Sequence, residues 1–435
     1  MVRPTTKKLG ASMLLLFSAL SSLCAQTKTD GMMVSILEKN MDSLFQKVLE
    51  NKDIHKLQII YTQIDRDADN VPTLTNHYFN VNPAHYYNPA STVKLPTAIF
   101  TLEKLNRLNK EGVDMNTRVQ FEKGDARESA VFTDSTSQTG YPSMAHYIKK
   151  AFLISENDPY NRFYQFVGPR TINRRFKEMD LKNSRITSQF LGLTVEENRH
   201  TNPVSFLDPV GKVLFAQPAD YNEDLFVFAT DGKVGKKHYN RKDELIDGPM
   251  DFTTANEFSL ENLQRILQTL MFPASVPEAH RYDLRETDYD FLYRYLSQYP
   301  SETDYPKYDT GEYYDSYAKF FFRKGSEQMP PDIRVFNKAG WTYGFLTDVA
   351  YIADFENKVE FMLTATIYAN ADDILNDGNY DYETVGWPFL NQLGQTFLQY
   401  ELERERKHVP DLSRFEMPYQ KRKLDDRPAL KDVAN

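Results

Sequence analysis

Asn88-Pro89-Ala90-Ser91-Thr92-Val93-Lys94-Leu95-Pro96 is the stretch from which the rest of the chain takes its meaning. Apolar residues follow at Leu95, Ile99, Leu102, Leu105 and Leu108, a helical period that runs to about Lys110. Ser91 is therefore expected to open a helix, with Lys94 one turn on and on the same face. A serine hydroxyl is a weak nucleophile until a base takes its proton, and a lysine partly removed from water has its pKa lowered towards that task. The N-terminus of a helix adds free backbone N–H groups suited to a developing oxyanion. The spacing alone decides little, because a second Ser-x-x-Lys stands at Ser316–Lys319 in a Tyr-rich stretch with no such context.

Outward from this stretch the chain divides by texture. Residues 33–52 alternate apolar and charged positions at a helical period. Residues 56–64 and 74–79 look like two strands around the turn-rich 66–73, a hairpin. A polar connection covers 111–141, followed by helical patterns at 143–154, 158–167 and 169–179, with Gly168 as punctuation. Residues 180–203 look like loop. From Val204 to about Asn256 the texture changes, and Leu225–Thr230, Asp231-Gly232 and a basic run to Tyr239 suggest an inserted hairpin. Helical spacing returns at Leu260–Leu270 behind Ser259, a suitable N-cap. Residues 280–325 are crowded with Tyr and Asp. Strand-like runs follow at 333–343, 345–354 and 358–369, then a helix from about Trp387 and a charged tail expected to be loosely ordered. Strands thus come from both ends of the chain, with helices between them. The expected architecture is α/β (α+β): one antiparallel sheet flanked by the terminal helices, plus a helical lobe, with a cleft between sheet and lobe.

At 435 residues the chain has room for two or three average domains or one large one. Arg3, Lys7 and Lys8 precede an apolar run from Met13 to Leu23 that is too short to span a bilayer, and Ala25 closes it. This has the form of a secretory signal peptide cut after Ala25, with a lipoprotein anchored through Cys24 as the second choice because Leu23 is bulky. The expected division is then 1–25 leader, 26–405 main domain with an insertion at about 204–256, and 406–435 charged tail. Periplasmic or secreted location follows. Cys24 is the only cysteine, so cleavage leaves none for disulfides, thiol catalysis or cysteine metal sites. Formal charge is −9, and losing the three leader cations leaves 49 basic residues against 61 acidic ones, or −12. That balance, with no basic stripe, argues against a nucleic-acid partner. No later run is apolar enough to cross a membrane, and the scattered histidines make no ligand spacing, so neither a metal nor another cofactor is expected.

Two further short motifs lie in order along the chain. Ser155-Glu156-Asn157 is its only Ser-x-Asn, placed where one helix ends and the next begins. Lys338-Ala339-Gly340 lies on a late strand ahead of Trp341-Thr342-Tyr343-Gly344, although Lys-x-Gly also occurs at Lys110 and Lys233. Helix capping would account for Ser155 and Asn157 singly, and a solvated strand charge for Lys338. Together, in this order, the three motifs resemble the active-site set of the serine β-lactamases and penicillin-binding proteins. The neighbours Pro89-Ala90-Ser91-Thr92-Val93-Lys94-Leu95 and Lys338-Ala339-Gly340 with Gly344 and Asp348-Val349-Ala350 are similar to the class A β-lactamase-like branch.

The resemblance implies a serine hydrolase with Ser91 as acylated nucleophile, Lys94 as its base and Ser155 passing a proton to the leaving nitrogen. It implies that Asn157 binds the substrate's amide side chain and that Lys338 supplies charge for a substrate carboxylate. The implied oxyanion hole is the backbone N–H groups of Ser91 and Trp341, next to Gly340, with Thr342 in place of the hydroxyl missing at Ala339. The substrate class so implied is a β-lactam or other amide bearing a carboxylate. A D-alanyl-D-alanine peptidase or other peptidoglycan-directed acyl hydrolase is the alternative, and a non-catalytic binding protein keeping the cleft is a third. The chain departs from the class A pattern in having no Glu-x-x-Leu-Asn within 180–203, where only Glu196 and Glu197 stand nearby. An insertion folded over the cleft could offer Asp208 or Glu223 instead.

Overall fold

The computed structural model describes residues 26–228, 231–326, 328–423 and 425–433; the expected leader and Cys24 lie outside the described residues. Helices α1 (Gly31–Leu37) and α2 (Ser43–Glu50) precede the hairpin of β1 (Gln58–Arg66) and β2 (Pro72–Phe79). The lobe follows as α3 (Lys94–Leu108), α4 (Met144–Leu153), α5 (Asn157–Val167) and α6 (Pro169–Glu178). Helices α7 (Leu260–Met271) and α8 (Glu286–Ser297) lead to β3 (Ile333–Thr342), β4 (Phe345–Asp354) and β5 (Val359–Tyr368), and α9 (Trp387–Glu403) closes the set. No described helix is long and apolar enough to cross a membrane.

One five-stranded antiparallel sheet joins the two ends of the chain in the order β3-β4-β5-β1-β2. The period of two sorts β1 onto two cores. Ile60 and Ile64 face the lobe side, where they join Val93, Leu95 and Ile99, whereas Ile59 and Tyr61 face α1, α2 and α9. β4 and β5 are buried along their whole length, as their runs of β-branched and aromatic residues require of central strands. β3 and β2 are the edge strands, and β3 borders the lobe.

Local chemistry sets the helix ends near the site. The Ser143 hydroxyl accepts from the backbone N–H of His146 at 3.2 Å and starts α4, and Ser259 does the same for α7 through Asn262 at 3.2 Å. Gly168, at φ 83°, separates α5 from Pro169 at the first turn of α6.

Several expectations change in detail. Ser91 does not open the α-helix: Ala90–Val93 form a 3₁₀ turn, and α3 begins at Lys94. The connection 111–141 contains a strand, Arg118–Phe121, which pairs with Val204–Leu207; the latter also pairs with Val213–Gln217. Val204–Leu207 is therefore lobe structure, and the excursion begins after it. Residues 222–228 form no strand, and Ala229 and Thr230 lie outside the described residues. The hairpin sits later, with 233–234 pairing 250–251 and 237–239 pairing 245–247. Within the Tyr- and Asp-rich stretch α8 forms, its aromatic face turned to the core through Tyr289, Tyr293 and Tyr295. The charged tail also packs: Leu412 and Phe415 are buried, and Arg422 donates to the carbonyls of Pro300, Thr303 and Tyr308. Its charges read as loop because the buried residues between them are few.

α9 crosses the turn Phe320–Phe322 so closely that a Cβ at Gly394 would stand 2.8 Å from the Cβ of Phe321 and closer still to its carbonyl oxygen. Gly394→Ala is expected to destabilise the fold by about 1–3 kcal/mol through this overlap. Urea unfolding measures it, and a loss below about 0.5 kcal/mol would show that the crossing has slack.

Candidate active site

The three motifs meet where the edge of the sheet touches the lobe. Gly340 on β3 makes that approach possible: a Cβ there would lie 2.6 Å from the backbone nitrogen of Ser91 and 2.9 Å from that of Thr92. The Ala90–Val93 turn is thus held against β3, with Ala90 itself at φ 44°, in the left-handed region that costs a residue with a Cβ on the order of 1 kcal/mol. Asn88 supports the turn by accepting from the Ala90 N–H at 2.9 Å.

Lys94 lies wholly out of contact with water at the first position of α3. Its Nζ is 2.8 Å from Ser91 Oγ, 2.8 Å from Asn157 Oδ1 and 3.3 Å from Ser155 Oγ, and it also donates to the Ser155 carbonyl. Ser155 presents both its carbonyl and its hydroxyl because it sits at φ 71° between α4 and α5. Burial holds the Lys94 amine well below the ordinary lysine pKa, the charge of Lys338 lowers it further, and Glu156 opposes both. A neutral amine has two hydrogens and one lone pair. The Ser155 carbonyl and Asn157 Oδ1 accept the two hydrogens, which leaves the lone pair for the proton of Ser91.

Lys338 is also buried, and its Nζ donates to Ser155 Oγ at 2.8 Å and to the Ala339 carbonyl at 2.6 Å. Burial lowers its pKa to about 7 against the pull of Asp348, and Lys319 lowers it further. The Ser155 hydroxyl therefore lies between two buried amines. Glu156 anchors this turn from behind, taking a hydrogen bond from Tyr308 at 2.6 Å and pairing with Lys150 at 3.1 Å.

The cleft above Ser91 has a volume of about 460 Å³. Ser91, Ser155, Asn157, Trp341 and Thr342 line it, whereas Lys94 and Lys338 reach it through Ser91, Ser155 and Asn157. The ring of Trp341 packs against Tyr317, Phe320 and Trp387, so alternation along β3 leaves the cleft only the backbone of this residue. The remaining walls went unnoticed in the sequence. Ser188, Gln189, Phe190 and Leu193 come from the loop after α6, and Met250, Phe252 and Asn256 come from the excursion. Phe252 packs on Tyr86 at 5.8 Å and on Tyr343 at 5.2 Å, which folds the excursion over the cleft. Two apolar residues at 250 and 252 inside an otherwise polar stretch were the available signal.

The nearby carboxylates are occupied elsewhere. Glu196 accepts from Tyr221 at 3.0 Å, Glu197 accepts from the Thr194 N–H at 2.7 Å, and Asp208 closes its own turn through the N–H groups of Val210 and Lys212. Glu223 is exposed on the excursion, and none of these residues lines the cleft. The second Ser-x-x-Lys has a different use. Lys319 is buried and donates to the Val335 carbonyl at 2.9 Å and to Asn337 at 2.8 Å, and Ser316 donates to Gly325 instead.

Comparison with known proteins adds the following. Residues 40–210 match the model of a family described as the β-lactamase enzyme family. No curated protein matches the chain. Among solved structures, a β-lactamase from Francisella tularensis aligns at 12% identity and TM-score 0.47, covering 83% of this chain and 99% of that one. A reconstructed class A β-lactamase of the last common ancestor of Gram-negative bacteria aligns at 13% and 0.45 (82% and 100%), and one from Sphaerobacter thermophilus at 12% and 0.42 (82% and 97%). The matched residues 40–210 contain Ser91, Lys94, Ser155 and Asn157, so this part of the chain is similar to the β-lactamase enzyme family.

Proposed function

We propose that the protein is a serine acyl hydrolase that works through an ester on Ser91, acting after export on the strength of its leader-like first 25 residues. One observation carries this reading: the buried Lys94 amine 2.8 Å from Ser91 Oγ, with its hydrogens directed to other acceptors. As Ser91 adds to a carbonyl carbon, its proton passes to Lys94. The oxyanion so formed meets backbone N–H groups at the close contact of Gly340 with the Ser91 turn. Collapse of the tetrahedral adduct breaks the bond to the leaving nitrogen or oxygen, which takes a proton from the Ser155 hydroxyl. Lys94 returns a proton to Ser155 across 3.3 Å. β-Lactams are the acyl donors that the family suggests.

Deacylation needs a base for water on the open face of the ester. The loop after α6 offers the cleft Ser188, Gln189 and Phe190, and none of these is a base at neutral pH. A penicilloyl ester on Ser91 is therefore expected to outlast by far that of an efficient β-lactamase.

Intact-mass measurement tests both steps. Wild-type protein should gain one penicillin mass that decays slowly after the drug is removed, and Ser91→Ala should gain none while keeping its fold. Lys94→Met should slow the gain on the order of a hundredfold or more. Equal labelling of Ser91→Ala, or near-normal acylation of Lys94→Met, would refute the mechanism.

The pH profile tests the coupling of the two lysines. Acylation requires neutral Lys94, so its rate falls as pH drops through that group's pKa. The charge of Lys338 lowers that pKa, hence Lys338→Met should raise it and move the acid limb of the profile to higher pH. A limb that stays in place, or moves to lower pH, would mean that the two amines do not communicate.

A further inference from the structure

No side chain lining the cleft among the described residues carries a charge. Its polar groups are neutral: Asn88, Asn157, Ser188, Gln189, Asn256 and Thr342. The others are apolar or aromatic, with Phe190, Leu193, Met250, Phe252 and Tyr343 forming one continuous wall. The cations nearby are turned away. Lys338 is 1% exposed, and its amine is committed to Ser155 Oγ and the Ala339 carbonyl. Arg185 lies behind the wall, donating to the carbonyls of Thr253 and Ala255 and paired with Glu257. Ala339 offers no hydroxyl. Arg241, exposed on the excursion, is the cation whose field reaches Tyr343.

A carboxylate carried into such a cleft loses water and finds amines only one hydrogen bond behind the Ser91 and Ser155 hydroxyls, so little of that loss is repaid. An uncharged ligand loses less water and gains the aromatic wall. We propose that the acyl donor for Ser91 is uncharged, an ester, lactam or other amide with an apolar acyl portion and no carboxylate beside the scissile carbonyl. This rests on the acyl-enzyme reading above and narrows its substrate class. The reaction balances without a further reagent. The carbonyl carbon exchanges its bond to the leaving oxygen or nitrogen for one to Ser91 Oγ, and the leaving group departs protonated as an alcohol or amine. Water then cleaves the Ser91 ester, restoring the hydroxyl and releasing a carboxylic acid. That product ionises, and the cleft that accepted a neutral donor disfavours the anion, which promotes its release.

The test compares acyl donors that differ only in charge. Benzylpenicillin and its methyl ester share the lactam and the acyl side chain, and intact mass gives the rate of Ser91 acylation by each, divided by its rate of alkaline hydrolysis. A second pair, p-nitrophenyl butyrate against the mono-p-nitrophenyl ester of glutaric acid, repeats the comparison with nitrophenol release as the readout. The neutral member of each pair is expected to acylate about tenfold faster. Equal rates, or a faster acid, would overturn the proposal while leaving the acyl-enzyme reading intact. A fast acid slowed by Arg241→Ala would overturn it too, and would place an anion subsite on the excursion. If no donor forms an adduct that Ser91→Ala lacks, the acyl-enzyme reading itself fails, and the proposal with it.

Discussion

An amine sealed from water has to find acceptors for its hydrogens, and Lys94 finds them while burial pulls its pKa down. Its site is assembled from parts of the chain that lie far apart in sequence. The Ala90–Val93 turn brings Ser91, the junction of α4 and α5 brings the Ser155 carbonyl and Asn157, and β3 brings Lys338. Removing any of these would leave a buried nitrogen unsatisfied or a second buried cation without its hydroxyl. The left-handed conformation of Ser155 carries its carbonyl and hydroxyl to the amine, and that of Ala90 belongs to the turn that brings Ser91 there. Gly340 completes the arrangement by the absence of a side chain.

A third buried lysine underlies the first layer. Lys319 is tied through Asn337 to Asp348, whose carboxylate also accepts from the Phe320 N–H at 3.0 Å. Burial raises the Asp348 pKa to about 7 and lowers that of Lys319 to about 7, so neither charge is secure alone. Asn337 divides its amide between them, oxygen to the amine and nitrogen to the carboxylate. Lys338 follows Asn337 on β3 and turns to the opposite face, so the strand has a buried cation on each side. Ordinary fold stability and the electrostatics of the cleft therefore share one strand.

The large elements were legible because their periods are strong. β4 and β5 are buried on both faces and largely apolar, and α3, α7 and α9 carry regular stripes. The place of the site was legible as well, since Ser91, Ser155 and Lys338 come together as the order of strands and helices implies. The misreadings have physical causes. The 3₁₀ turn at Ala90–Val93 keeps a nearly helical period, so sequence could not separate it from α3. Arg118–Phe121 has only four residues and draws its order from a partner some 85 positions away. The Phe252 wall depends on contact with Tyr86 and Tyr343, which no local pattern encodes. Ser316–Lys319 repeats the spacing of Ser91–Lys94, yet there the serine turns to a carbonyl, because the surroundings and not the interval decide what a lysine does.

The pairing of β1 with β5 has a consequence for how the protein comes into being. Residues 58–66 wait for residues 359–368 before their sheet can form, a separation that makes folding slow and leaves apolar strand edges open meanwhile. Lys338 reaches Ser155 only when β3 has docked on that sheet. A chain emerging from its N-terminus therefore carries Ser91 and Lys94 long before it has the field that prepares them. Ser91 and Lys94 are made early, and their surroundings are completed last.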